Sequence, residues 1–214
     1  MNDKGWFKVP GIRPAGDRTL AEQMLGMGPA LAECKCRTVL DLGCAEGLIG
    51  REFALAGAAS VAGIELLQSH LDVAKVACKD APACRFIRSE LGEWIAAHPE
   101  PERFDIVLCL GIIHKLKDPN LPLRFAARST QDLLLFRGPG TDRLKICKGI
   151  IRSKFSTIEC DVPKVLSQEG FKLERIIDGV RGEAVHYWRR RPSAVSRQPS
   201  ATPGAANCQL PTGG

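Results

Sequence analysis

No C-x-x-C pair occurs in the 214 residues, and the four histidines, at 70, 98, 114 and 186, are scattered. Structural metal sites draw on closely spaced Cys and His pairs, so no metal centre is expected. Aromatic side chains make up only 6% of the chain, which leaves a core to be filled by aliphatic ones. No apolar run approaches the ~18 residues of a membrane span. The opening residues, MNDKGWFKVPG, include Asp3 and have no apolar centre, unlike a secretory leader. The expected compartment is therefore the cytoplasm.

Nine cysteines are present, and Cys44, Cys78 and Cys109 interrupt apolar runs as small hydrophobes do. They read as reduced, buried thiols. The net charge of +6 is equally unspecific, because Arg189, Arg190, Arg191 and Arg197 contribute +4 of it from a C-terminal segment without acids. A general basic character therefore gives no argument for nucleic-acid binding.

Short apolar runs alternate with helical patterns, the signature of βα units around a largely parallel sheet. Strands are expected at 38–42, 60–64, 84–87, 104–110 and 132–136, with helices at 47–56, 67–79, 91–97, 122–128 and 162–169. Thr19 and Glu22 have capping-box spacing and predict one helix running to about Ala32. Residues 171–177 and 184–189 suggest an antiparallel hairpin at the end. The organisation expected is an N-terminal cap segment and helix over 1–34, a cofactor-binding domain over 35–191, and a disordered Pro/Ser/Gly-rich tail over 192–214. The fold class is α/β: a doubly wound sheet of about seven strands, mostly parallel, closed by the antiparallel hairpin.

The most informative stretch is TVLDLGCAEGLIG, residues 38–50. A dinucleotide-binding turn requires G-x-G-x-x-G, and from Gly43 that pattern demands glycine where Ala45 and Leu48 stand. The run V-L-D-L-G-C-A-E-G instead resembles motif I of the class I S-adenosylmethionine-dependent methyltransferases, apolar-apolar-acid-apolar-G-x-G-x-G. Gly43 and Gly47 match its outer glycines. Ala45 departs at the middle one, a mild departure if its φ is negative.

The resemblance extends over about residues 35–190 and implies a Rossmann-like fold with S-adenosylmethionine as cofactor. Asp41, Gly43, Cys44, Ala45 and Gly47 would hold the amino-acid end of the cofactor. Glu65, at the tip of the second strand, would accept from the ribose hydroxyls, with Leu66 against the adenine. Glu90 and Leu91, after the third strand, would meet the adenine amino group and ring. The fourth strand, FDIVLCL, and its exit GIIHKLKDP would put Leu110 beside the methionine portion and His114 near the acceptor as a candidate general base. The D/N-P-P-Y/F turn of amino methyltransferases is missing there, as is the Cys-Pro nucleophile of the cytosine-C5 enzymes.

Arg18, in the N-terminal segment, and Arg137 and Arg143, in a basic stretch over 137–155, are candidate acceptor-binding residues and suggest an anionic acceptor. The function implied is methyl transfer to an anionic small-molecule, sugar or lipid-type acceptor. Two alternatives stand beside it: modification of tRNA or other RNA, and a non-catalytic S-adenosylmethionine-binding or partner protein.

Overall fold

The computed structural model describes residues 5–138 and 150–192. Five strands, β1 (Thr38–Leu42), β2 (Ser60–Glu65), β3 (Cys84–Arg88), β4 (Phe104–Leu110) and β5 (Thr130–Arg137), pair in parallel. Two more, β8 (Phe171–Ile177) and β9 (Val185–Arg190), extend the sheet antiparallel from β5, giving the order β3-β2-β1-β4-β5-β9-β8. The strand order reverses between β1 and β4. That reversal leaves a crevice at the carboxyl ends of the strands, where ligands of open α/β sheets bind.

Strand side chains alternate between the two faces, and each face has its own core. Leu40, Leu42, Val107, Cys109, Leu134 and Phe136 are buried on one side, against α5 (Leu91–Ala97), α6 (Asn120–Ser129) and α7 (Val162–Gln168). Val39, Ile106, Leu108, Leu133, Leu135 and Tyr187 pack on the other, beneath α3 (Leu48–Leu55) and the N-terminal segment. The helix α4 (Gln68–Ala77) buries Leu71 and Ala74 but not Leu67, its exposed N-cap.

The helix expected from Thr19 to Ala32 is two short helices, α1 (Leu20–Met24) and α2 (Gly28–Ala32). The capping box forms, but the chain turns at Gly26, with φ +81°. The Tyr187 hydroxyl donates to the Gly26 carbonyl at 2.6 Å, so a contact from the far end of the chain holds the break. A second departure is a small antiparallel pair, β6 (Ile150–Arg152) with β7 (Glu159–Asp161), outside the main sheet. No helix among the described residues is long and apolar enough to cross a membrane.

Among the described cysteines, Cys34, Cys44, Cys78, Cys109 and Cys160 are buried and Cys36 is exposed. No group of three or more His, Cys, Asp or Glu among the described residues is arranged to hold a metal.

Candidate active site

The glycine turn leaves β1 through three left-handed residues, Gly43 at φ +74°, Ala45 at +50° and Gly47 at +71°. A Cβ on Gly43 would lie 2.9 Å from Ile112, and one on Gly47 2.5 Å from Phe86, so neither position admits a side chain. Ala45 corrects the expectation of a negative φ: the backbone keeps the left-handed path of a middle glycine with a methyl group on it. An L-residue in this region costs roughly 1–2 kcal/mol.

Two neighbours of Ala45 face away from the crevice. Cys44 is buried over Gly63, where an added Cβ would come within 2.7 Å of its Sγ, and burial pushes its thiol well up. Glu46 is fully buried, and its carboxylate accepts from the backbone N–H of Trp6 (2.8 Å) and Phe7 (3.1 Å) and from Arg13 Nη1 (3.3 Å). The N-terminal segment is thereby fastened across the turn.

Glu65, the last residue of β2, holds the turn from the other side. Its Oε2 accepts from Ala45 N–H at 3.0 Å, and its Oε1 accepts from Leu67 N–H at 2.9 Å. His70 stands 3.6 Å from Glu65 Oε1 and 3.8 Å from Glu46 Oε1. Burial alone would raise the Glu65 carboxyl, but His70 and the two amide donors outweigh it and hold it below the usual range. The same carboxylates, Glu65 foremost, hold the His70 imidazole above its ordinary value against its own burial.

These groups border a cavity of about 330 Å³. Of the residues picked from the sequence, Gly43, Ala45, Glu65, Leu66, Glu90, Leu91 and Leu110 line it. Trp6, Ile64, Leu67, His70, Ser89, Gly111, Ile112, Lys115 and Leu116 complete the wall. Glu90 is also the N-cap of α5, accepting from Glu93 N–H at 2.8 Å.

Asp41, Cys44 and Gly47 lie behind this wall rather than in it. Asp41 is buried on the β1 face shared with Val39. Burial, and then the nearby Glu65 charge, push its carboxyl up to about 7 against the opposing pull of Arg137.

The acceptor-side residues are distributed differently from the expectation. Arg137 does not reach the solvent: it is buried, and its guanidinium donates to the Gln23 carbonyl and side-chain oxygen at 2.9 and 2.5 Å. Arg143 lies outside the described residues. Arg152, from the same basic stretch, is paired with Glu159 at 2.6 Å. His114, the candidate general base, is buried on a single 3₁₀ turn and is not among the lining residues. Burial, with Lys154 and Lys115 nearby, pushes it down to about 4, so it is neutral at pH 7.

A seven-stranded sheet with this strand order, an antiparallel end and a glycine turn leading into α3 is the Rossmann-like methyltransferase fold. Residues 39–131 match the family model described as a methyltransferase domain. The matched segment runs from β1 to the start of β5 and includes the glycine turn, Glu65, Glu90 and Leu110.

Among curated relatives, the ubiquinone biosynthesis O-methyltransferase of Paracidovorax citrulli is 32% identical over 104 residues, 49% of this chain and 43% of that protein. The chain thus spans less than half the length of such relatives, and only 34% of the corresponding protein from Leptothrix cholodnii. A putative S-adenosylmethionine-dependent methyltransferase from Listeria monocytogenes superposes with a TM-score of 0.60 at 18% identity, over 80% of this chain and 99% of that one. The magnesium protoporphyrin IX methyltransferase of Synechocystis, solved with bound S-adenosylhomocysteine, superposes with a TM-score of 0.58 at 18% identity, over 76% and 78% of the two chains.

Proposed function

We infer that the protein transfers a methyl group from S-adenosylmethionine to an anionic small-molecule acceptor. The observation that carries this reading is the convergence of the glycine turn, Glu65, Glu90 with Leu91, and Leu110 with Gly111 on one cavity. The cavity chemistry fits the cofactor from end to end. Glu65 keeps acceptor capacity for ribose hydroxyls beyond its two amide donors, because a carboxylate offers about four lone-pair sites. Leu66 and Leu91 give apolar walls for the adenine, and Glu90 gives an acceptor for its amino group. The Gly43–Gly47 turn, at the start of α3, suits the cofactor carboxylate. Asp41 lies behind that turn, buried, and does not line the cavity.

When bound, S-adenosylmethionine supplies a methyl group already activated by its sulfonium. The chain's part is then to align an acceptor and exclude water. Gly111, at φ +68° with nothing within 4 Å of where a Cβ would stand, leaves the exit of β4 open for that acceptor. The name of the curated relatives supports a hydroxyl oxygen as the methylated atom.

Titration calorimetry with S-adenosylmethionine and with NAD tests the reading. Binding of the first and not the second is expected, with an affinity loss of about tenfold or more in Glu65→Ala, the scale of a lost charge-assisted hydrogen-bond pair. NAD binding, or S-adenosylmethionine binding indifferent to Glu65→Ala, would overturn it.

A further inference from the structure

Trp6 does more than wall the cavity. The Lys115 ammonium lies 4.5 Å from its ring centroid, and the Arg18 guanidinium carbon lies 5.5 Å from the same centroid. Two like charges gathered on one indole repel each other, and cation–π attraction returns only about 0.5–2 kcal/mol to each. Neither cation has a carboxylate in contact among the described residues. Asp17, the neighbour of Arg18 in sequence, is exposed and makes no ion pair with it among the described residues, and Glu22 is taken up by the Thr19 N–H and hydroxyl at 2.8 and 2.9 Å. Glu65, which acts on Lys115 at longer range, is held by Ala45, Leu67 and His70.

The decisive atoms are Nε and Nη1 of Arg18. Both are buried, and neither has a hydrogen-bond partner among the described residues. A buried charged donor without an acceptor is costly, and native structures seldom leave one unless a ligand completes it. The location agrees. Arg18 is close enough to Arg137, at the carboxyl end of β5, to depress the Arg137 guanidinium, and Lys115 lines the cavity just beyond the exit of β4. Trp6 and Lys115 thus line the cavity, and Arg18 stands on the same indole.

We propose that Arg18 and Lys115, held on the Trp6 indole, form an oxyanion subsite that receives a carboxylate or phosphate of the methyl acceptor. The proposal rests on the methyltransferase reading for the word acceptor, and on the geometry alone for the anion. Arg18 brings a permanently charged guanidinium with two unpartnered N–H groups. Lys115 adds a point charge from the cavity side. The subsite selects acceptors by charge at a position separate from the glycine turn and Glu65.

The test uses the full chain and two readouts. The Trp6 indole N–H resonance, identified by its loss in Trp6→Phe, is followed during titration with phenyl phosphate, benzoate and neutral benzyl alcohol. Saturable shifts with phenyl phosphate or benzoate are expected, the stronger of the two indicating which anion the subsite prefers. Benzyl alcohol should produce none. Arg18→Gln should weaken the anion response about tenfold or more, while Arg18→Lys, which keeps the charge, should retain most of it.

Equal response to benzyl alcohol, or an unchanged anion response in a folded Arg18→Gln protein, would overturn the subsite. Calorimetry with S-adenosylhomocysteine on the same samples separates the two readings. Cofactor binding without an anion response removes only the subsite. An anion response without cofactor binding removes the methyltransferase reading and leaves the subsite standing.

Discussion

The Trp6 backbone N–H donates to Glu46 Oε1 at 2.8 Å across 40 residues of sequence, joining the N-terminal segment to the turn that frames the cavity. Phe7 N–H and Arg13 add two further donors to the same buried carboxylate. Removing an acceptor of this kind leaves its donors unsatisfied, at about 1–3 kcal/mol each. Glu46→Ala is expected to lose about 2–4 kcal/mol of stability in urea denaturation and to open residues 5–18 to limited proteolysis. Wild-type protection of that segment in the variant would show that Glu46 does not fasten it.

Ala45 makes a prediction of the opposite sign. Its φ of +50° is a strained conformation for alanine and an ordinary one for glycine. Ala45→Gly releases about 1–2 kcal/mol of strain, less the ~0.5–1 kcal/mol of entropy that glycine gives up on folding. A rise in Tm with cofactor affinity retained is the expected result, and Ala45→Val should lower Tm sharply. Thermal melts of the three proteins decide it.

Asp41 makes stability depend on pH. Its carboxyl titrates at about 7 in the folded protein against 3.8 for an ordinary aspartate. The folded state thus binds the proton more tightly, and the contribution is fully present below about pH 3.8 and lost as pH rises through about 7. Asp41→Asn cannot ionise, so its stability relative to wild type should improve from acid to alkaline pH and level off above about 7. Urea denaturation of both proteins across that range measures the difference. A constant difference would place the Asp41 carboxyl at an unshifted value.

His70 supplies a second dependence. Its folded value is raised above 6.5 by Glu65 and Glu46. The stabilisation is therefore full below about pH 6.5 and lost as pH rises through the raised folded value. Wild type should exceed His70→Gln in stability at mildly acidic pH, and the margin should shrink under alkaline conditions. Chemical denaturation at the two ends of that range reads the margin directly, and a margin that grows with pH would contradict the ion-pair assignment.

The strands β1 and β4 and the helix α5 were legible to the residue. Each is a short apolar or amphipathic run bounded by turn chemistry: Asp41-Leu-Gly43 closes β1, and the two prolines of 98–103 precede β4. The α1–α2 break was not legible, because Gly26 turns where Tyr187 reaches it from the other end of the chain. The acids and leucines after β2 and β3 were found because strand tips in an α/β sheet point at one crevice. Trp6 and Lys115 lay inside stretches already singled out, yet nothing in their local sequence marks them as neighbours. Glu46 carried the weakest signal of all, a lone acid in a turn, since two of its partners are backbone amides that any residue possesses and the third, Arg13, is 33 residues away.

The attachments of the N-terminal segment also bear on how the chain folds as it is made. Residues 5–24 leave the ribosome before the sheet does, but they dock on Glu46, then on Arg137 through Gln23, and, at the turn that follows them, on Tyr187, a separation of 161 residues from Gly26. Contacts of such long range form only after the loop entropy between their ends has been overcome. During synthesis these residues must therefore wait for nearly the whole sheet, and the wall containing Trp6 is among the last parts of this fold to be completed.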